Sequence, residues 1–425
     1  MFKLYLNNYR WFKKSTIEIK DVNFLVWENS TWKSSFINAL NFISSEAFWF
    51  EWKILKALNI SSYSDVSNEE YFDIWLCKNH INFKTNDNND DGHIFVRVRI
   101  KKVKWKAELD NLIICTREYS LCIQKKLKNY YYKRDIFNYD EINSDNSKFY
   151  NYVPWKLQKF KNYYPKNWII ILLQFLPETK NKNNSKSKID TSYINSIYSN
   201  ILNYSTVSIA PIRAKPQSIY QWADSEFSSD WTYTPYIIQH INSDNKNTKI
   251  IKAINTFWKK SWLFDKIITK NYDDNNISWA FSLMIQRNWE KHIINNVWYW
   301  VSQILPLITE NLVNNSRMFL IQQPEVHLHP KAQAAYWEFI FDLSTSNHKI
   351  YIIETHSDFI IDRFRLNLNT KKQKVNARVL FFESKNNLNH VHPIDIEDDW
   401  NYSKSQPINF RKFFLKEWCD MLWIN

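Results

Sequence analysis

The chain has 425 residues, a net charge of +13 and 44% hydrophobic residues, enough to bury the cores of two or three domains. Its four cysteines (Cys77, Cys115, Cys122, Cys419) are scattered without metal-ligand spacing, which argues against a disulfide framework or a zinc site. No signal peptide opens the sequence and no run of 18 apolar residues occurs, Ile169–Phe175 being far too short to cross a bilayer, so the chain reads as soluble and cytoplasmic with no membrane partner.

Phe2–Tyr9 and Thr16–Ile19 alternate apolar and polar residues as half-buried strands do, and Val22–Val26 is a short apolar strand. Trp27–Ser34 reads as a loop and Ser35–Ile43 as a helix. Residues 61–205 read as an α+β insertion. The Asn/Asp-rich Asn86–Asp91 interrupts it, Ile94–Ile100 and Leu112–Ile123 read as strands, and Asn181–Lys188 is a low-complexity loop. Between 95 and 190 there are 21 Lys/Arg against 9 Asp/Glu, an excess of +12 that suits DNA or RNA phosphates. Lys and Asn are abundant everywhere, however, as an AT-rich genome produces, and a solvated face is the alternative reading.

Regular structure returns at Val207–Ala210, followed by APIRAKP. Arg317–Ile321 reads as a strand, Pro330–Leu343 as a helix, Ile350–Ile353 as a strand and Ser357–Arg365 as a helix. Ala377–Phe382 and His390–Ile394 are further strands. Strands alternating with helices predict an α/β fold with a mostly parallel sheet. The predicted division is 1–60 and 206–400 as two parts of one head, 61–205 as the basic insertion and 401–425 as a tail.

Glycine and tryptophan are out of proportion. The chain has 1 Gly and 21 Trp, where a composition of about 7% glycine would give roughly 30. Many tryptophans lie in turn contexts rich in Asp, Asn and Ser, such as Trp231 in SSDWTYT and Trp400 in EDDWNYS. Glycine, not a bulky indole, is favoured there. Some bacterial lineages read UGA as glycine and others as tryptophan, and a decoding mismatch accounts for the pattern. A truly tryptophan-rich protein is the alternative.

With glycine at 27 and 32, Trp27, Glu28, Asn29, Ser30, Thr31, Trp32, Lys33 and Ser34 become G-E-N-S-T-G-K-S, followed by Ser35. That is the phosphate-binding pattern G-x-x-x-x-G-K-[ST], between an apolar strand and a helix. Backbone N–H groups and the helix N-terminus of such a loop cradle nucleotide phosphates. Lys33 would reach the β/γ-phosphates of ATP and the Ser34 hydroxyl would ligate Mg²⁺. An indole at either position would fill the phosphate volume, so the chain as written should bind ATP poorly.

Arg317–Pro330, RMFLIQQPEVHLHP, resembles the Walker B region of ABC-type ATPases of the overcoming-lysogenization-defect and RecF/SMC-like kind. There an apolar strand ends in acidic residues. The resemblance places Gln322 at the Mg²⁺-side acid and Gln323 at the catalytic glutamate, and a glutamine cannot act as a general base. Glu325 is the nearest carboxylate that could substitute. His327 and His329 alternate like metal ligands, but no third ligand is near in sequence; the resemblance makes them part of a loop crossing a dimer interface. IIETHSD resembles the switch-histidine region, with His356 toward the γ-phosphate or attacking water and Glu354 and Thr355 shaping the strand end. Val297–Leu305, with glycine for Trp298 and Trp300, resembles the signature motif, with Ser302 and Gln303 as candidates to meet the γ-phosphate held by a second subunit.

The resemblance implies a P-loop, ABC-type head that binds ATP and Mg²⁺, works as a homodimer and serves DNA-related processes such as anti-phage defence or repair, beside a separate effector protein. Arg213, in APIRAKP, carries no assigned role beyond a salt bridge. About 70 residues follow His356, too few for the nuclease domain of longer relatives, so nuclease activity is not expected. Gln322 and Gln323 leave open an alternative: a nucleotide-gated binding module with little or no hydrolysis.

Overall fold

The computed structural model of the chain describes residues 2–27, 33–49, 53–85, 88–104, 106–115, 119–126, 129–136, 157–159, 206–211, 213, 215–221, 232–243, 248–261, 264–272, 280–297, 299–314, 318–346, 349–386 and 388–410. In chain order these form β1 (Phe2–Asn7), β2 (Ser15–Ile19), β3 (Val22–Trp27), α1 (Lys33–Ser44), β4 (Tyr71–Thr85), β5 (Asn88–Val103), β6 (Lys106–Cys115), β7 (Tyr119–Lys126), β8 (Asn129–Ile136), β9 (Gln158–Lys159) and β10 (Thr206–Ile209). There follow α2 (Thr234–Ser243), α3 (Thr248–Lys260), β11 (Lys266–Asn271), β12 (Phe281–Arg287), β13 (Glu290–Ile293), α4 (Tyr299–Val313), β14 (Met318–Gln322), α5 (Pro330–Ser346), β15 (Ile350–Glu354), α6 (Asp358–Lys371), β16 (Ala377–Lys385) and β17 (Leu388–Ile396). They divide between two compact units, one of Met1–Lys20, Glu28–Ser205 and Phe382–Pro393, the other of Asp21–Trp27, Thr206–Phe381 and Ile394–Asn425.

The first unit is built on an eight-stranded sheet, in order β2-β1-β4-β5-β6-β7-β8-β9, and every pair in it is antiparallel. The expectation of a mostly parallel sheet therefore fails for the largest sheet of the molecule. The cause is connection length. Registers such as Val103↔Lys106 and Lys126↔Asn129 leave only two residues between strands, and a parallel pair needs a crossover of a dozen or more. Leu112–Ile123, expected as one strand, is two, β6 and β7 turning back between Cys115 and Tyr119. Of Asn86–Asp91, expected as an interruption, Asn86 and Asp87 lie outside the described residues, and Asn88–Asp91 lies inside β5 opposite Asn82–Thr85.

Much of the positive charge in this sheet is matched locally. Asp73, 1% exposed, takes Arg99 in two hydrogen bonds of 2.7 and 3.1 Å and lies 3.5 Å from the buried Arg97. Lys101 pairs with Asp110 at 3.2 Å and Lys125 with Glu108 at 2.6 Å. The carboxylates come from the neighbouring strand, so part of the basic stretch is an internally neutralised sheet.

A six-stranded sheet runs β10-β14-β15-β3-β16-β17, of which β10, β14, β15 and β3 lie in the second unit. Here the parallel expectation holds for three pairs, β10 with β14, β14 with β15 and β15 with β3. Met318–Ile321 and Tyr351–Ile353 are buried throughout, as strands covered on both faces are. Helices α5 and α6 supply Trp337, Ile340, Phe341, Ile360 and Phe364 to one continuous core, where Phe24 packs on Trp337 at 5.9 Å and on Phe364 at 5.4 Å. A three-stranded antiparallel sheet, β11-β12-β13, completes this unit's described strands.

Among the described tryptophans two settings stand apart. Trp258 and Trp337 are fully buried on helices, Trp258 stacking on Phe264 at 4.2 Å. Trp11, Trp289 and Trp400 are exposed and lie in turns, Trp400 with φ 63. Register Arg287↔Glu290 makes Asn288-Trp289 a two-residue hairpin loop, and Asn288 has φ 55. An L-residue in the left-handed region costs about 1–2 kcal/mol, and Trp400 is itself such a residue. Replacing Trp400→Gly should therefore raise the unfolding free energy by about 1 kcal/mol in urea denaturation. Trp258→Gly should lower it by about 4 kcal/mol through the cavity it leaves.

Candidate nucleotide site

The proposed phosphate-loop residues Glu28, Asn29, Ser30, Thr31 and Trp32 lie outside the described residues, as do the side chains of Trp27, Lys33 and Ser34. Their flanks are described: β3 runs to Trp27 and α1 begins at Lys33. Within the first unit Ser35 is fully buried and its hydroxyl accepts a 2.8 Å hydrogen bond from Arg10 Nη1. Arg10 has φ 52 in a tight turn bridged by Tyr9 and Phe12. Sequence reasoning missed Arg10, because a single cation in a turn has no periodicity to mark it.

In the second unit three parallel strands end side by side. Gln322 is the register partner of Glu354, and Glu354 of Leu25. The Gln323 N–H donates to the Glu354 carbonyl at 2.8 Å, and the Thr355 N–H to the Leu25 carbonyl at 3.2 Å. Beyond β14 the chain turns sharply, with Gln323 at φ 42 and His327 at φ 65.

Glu325 ties that turn to the switch segment. Its Oε1 accepts from the Thr355 hydroxyl at 2.9 Å and from the His356 N–H at 3.1 Å, while Thr355 Oγ1 accepts from the Ser357 N–H at 3.0 Å. Burial pushes the Glu325 carboxyl above the usual carboxylate range, the hydrogen bonds pull it back, and the charge of nearby Glu354 raises it again. His356 is left exposed at the tip of this clasp. His329 Nδ1 accepts from the Lys331 N–H at 3.2 Å at the start of α5. Among the described residues no cluster of three or more His, Cys, Asp or Glu could hold a metal ion, so the His327–His329 spacing has no metal-binding constellation around it.

Residues 1–361 match the family model described as the AAA ATPase domain. The chain belongs to the AAA ATPase domain family. None of the curated proteins compared with it matches. Among solved structures it is similar to the SMC head domain from Thermotoga maritima, at 12% identity over 92% of this chain and 97% of that one, with a TM-score of 0.42. It is also similar to an SMC head bound to the C-terminal winged-helix domain of ScpA, at 12% identity, 93% and 97% coverage and a TM-score of 0.45. A third likeness is the SMC head with an extended coiled coil bound to the C-terminal domain of ScpA derived from Pyrococcus furiosus, at 10% identity, 98% and 99% coverage and a TM-score of 0.43.

In this AAA-family ATPase the candidate signature residues open α4. Trp298 lies outside the described residues, and the Trp300 side chain is not described. Ser302 and Gln303 are buried, at 7% and 0% exposure, and Gln303 Nε2 donates to the Arg213 carbonyl at 3.4 Å. Arg213 is itself buried. At the other end of α4, Glu310 accepts from the Tyr233 hydroxyl at 2.9 Å and from Asn314 Nδ2 at 3.3 Å. Lys349 Nζ donates to the carbonyls of Asn311 at 2.7 Å and Asn314 at 2.9 Å.

Burial pushes the Glu310 carboxyl from 4.5 up to about 7. A raised carboxyl favours its protonated form in the fold, so its stabilising contribution is full below pH 4.5 and is lost as pH rises toward 7. Glu310→Gln should remove that slope, matching the parent near pH 4.5 and exceeding its unfolding free energy by about 2 kcal/mol above pH 7. Urea titrations across this range give the measurement.

Proposed function

We propose that the chain, with glycine at positions 27 and 32, is an ATP-binding and ATP-hydrolysing homodimeric switch of DNA-related processes such as anti-phage defence or repair. What supports the reading is the order of strands at one end of the six-stranded sheet. The strand leading toward the Lys33–Ser34 segment pairs with the strand ending in Glu354, two residues before His356, and that one pairs with the strand ending in Gln322. Nucleotides bind outside the carboxyl ends of such parallel strands.

Lys33 would neutralise charge on the phosphate oxygens, and backbone N–H groups of the 27–34 loop would cradle them. The Ser34 hydroxyl would hold Mg²⁺, which supplies charge neutralisation on the phosphates. Oxygen donors suit this hard cation, which takes one or two carboxylates together with water and phosphate. His356 would hold the attacking water, positioned by the Glu325 clasp. Ser302 and Gln303 would serve the partner subunit's nucleotide after α4 shifts to uncover them. The basic stretch of residues 95–190 would bind DNA or RNA, and a separate effector protein would act on the signal.

A second reading, a nucleotide-gated binding module, is favoured by Gln322 and Gln323, neither of which can take a proton from water. The mass of the tryptic peptide Asp21–Lys33 from the source cells tests the premise, glycine at both positions being the expected result. Steady-state ATP turnover of the chain carrying Trp27→Gly and Trp32→Gly then separates the readings. Turnover above background that is lost in Lys33→Ala is expected. Tight ATP binding without turnover would favour the binding module, and two tryptophans in the natural peptide would rule out both.

A further inference from the structure

We propose that the outer face of α6 is a self-complementary surface on which a second copy of this chain docks, the two helices crossing antiparallel about a two-fold axis between Asp362 and Arg363. The contact does not pass through the nucleotide, so it stands or falls apart from ATP binding. The sequence of α6, DFIIDRFRLNLNTK, divides by helical spacing. Ile360, Ile361, Phe364 and Leu368 are buried in the core. Phe359, Asp362, Arg363 and Leu366, at offsets of three, four and seven from the first, form a stripe on the opposite side. Phe359 and Leu366 are 40% and 42% exposed.

Single exposed apolar side chains are ordinary; the order of residues along this stripe is what points to a second copy. The midpoint between Asp362 and Arg363 is also the midpoint between Phe359 and Leu366. An isologous contact requires a surface that is its own complement, and two antiparallel copies of α6 meet that condition. Phe359 lies against Leu366 of the partner subunit, Asp362 faces Arg363 of the partner subunit, and each contact occurs twice. Both charges are available for it. Among the described residues Arg363 has no ion pair, and its buried Nε has no acceptor. Asp362 takes Arg365 of its own helix at 2.6 Å, yet its side chain stays 59% exposed, and a carboxylate accepts more than one donor. Arg365 itself stands on the flank, over the Tyr402 ring at 4.1 Å. A guanidinium short of an acceptor gains a charge-assisted hydrogen bond when the second copy brings its carboxylate.

The test measures self-association of the full chain by sedimentation velocity over a concentration series without nucleotide. Asp362→Arg and Arg363→Asp should each weaken it about tenfold or more, because each sets like charges across the two-fold axis. An equal mixture of the two variants should restore association as a heterodimer, since every facing pair is again opposite in sign; a merely structural role for either residue gives no such rescue. A parent that is monomeric throughout, self-association that survives both reversals, or a mixture that stays apart overturns the proposal. Dimers that form only with MgATP leave the nucleotide reading standing and overturn this one. Should a reversed variant fail to fold, crosslinking under a mild oxidant decides. Phe359→Cys chains mixed with Leu366→Cys chains should join through a disulfide. Neither variant alone should crosslink above the parent, because like positions lie about 10 Å apart along the paired helices. A mixture no better crosslinked than its components overturns the proposal.

Discussion

The hydrogen-bonded ladder that seats β15 between β14 and β3 is the constraint on which the candidate chemistry depends. Parallel strands in register bring their last residues to one level, so a glutamine, a glutamate and the stem of the phosphate loop stand in a single row. Two backbone hydrogen bonds beyond the regular pairs, from Gln323 to Glu354 and from Thr355 to Leu25, extend the ladder just past the strand ends. Burial of nearly every residue of β14 and β15 makes a slip of register costly, since one step would turn each side chain to the opposite face. The chemistry at the strand ends is therefore held by the core beneath it.

That row also explains how Glu325 can be a half-buried acid without being a spare one. A carboxylate taken out of water must recover its lost solvation through donors. Glu325 finds a hydroxyl and a backbone N–H, both from the segment that carries His356. The Glu325 side chain joins the turn after β14 to the segment after β15. Gln323 at φ 42 and His327 at φ 65 bend the chain so that the carboxylate faces across, which is backbone strain spent on placement.

The parallel half of the fold was legible because its signals are local. An apolar run such as MFLIQ or IYIIE, bounded by turn residues, marks a buried strand, and PEVHLHP and ETHSD mark what stands at its end. The antiparallel sheet was legible only in part. Leu112–Ile123 is apolar enough to pass for one strand, and its reversal after Cys115 depends on pairing with β5 and β7 that no single window contains. The charge of the insertion was legible as a sum but not as a distribution. Asp73 lies outside the basic stretch in sequence and inside it in space, so its pairing with Arg97 and Arg99 could not be read from a count. The clasp on His356 was equally hidden, because Glu325 and His356 are 31 residues apart.

The single glycine in the sequence ties these observations together. The turn at Trp400, with φ 63, demands a backbone angle that glycine adopts at low cost and an indole does not. Trp258 and Trp337 stand in apolar cores on helices, where glycine would leave a cavity and weaken the helix. One residue name therefore covers two opposite physical demands in this chain. The demand at each site, left-handed backbone or bulk in a core, separates positions that suit glycine from positions that suit tryptophan. On the proposed reading, positions 27 and 32 would suit glycine by the chemistry of a phosphate loop, in which backbone must approach an anion more closely than any side chain allows.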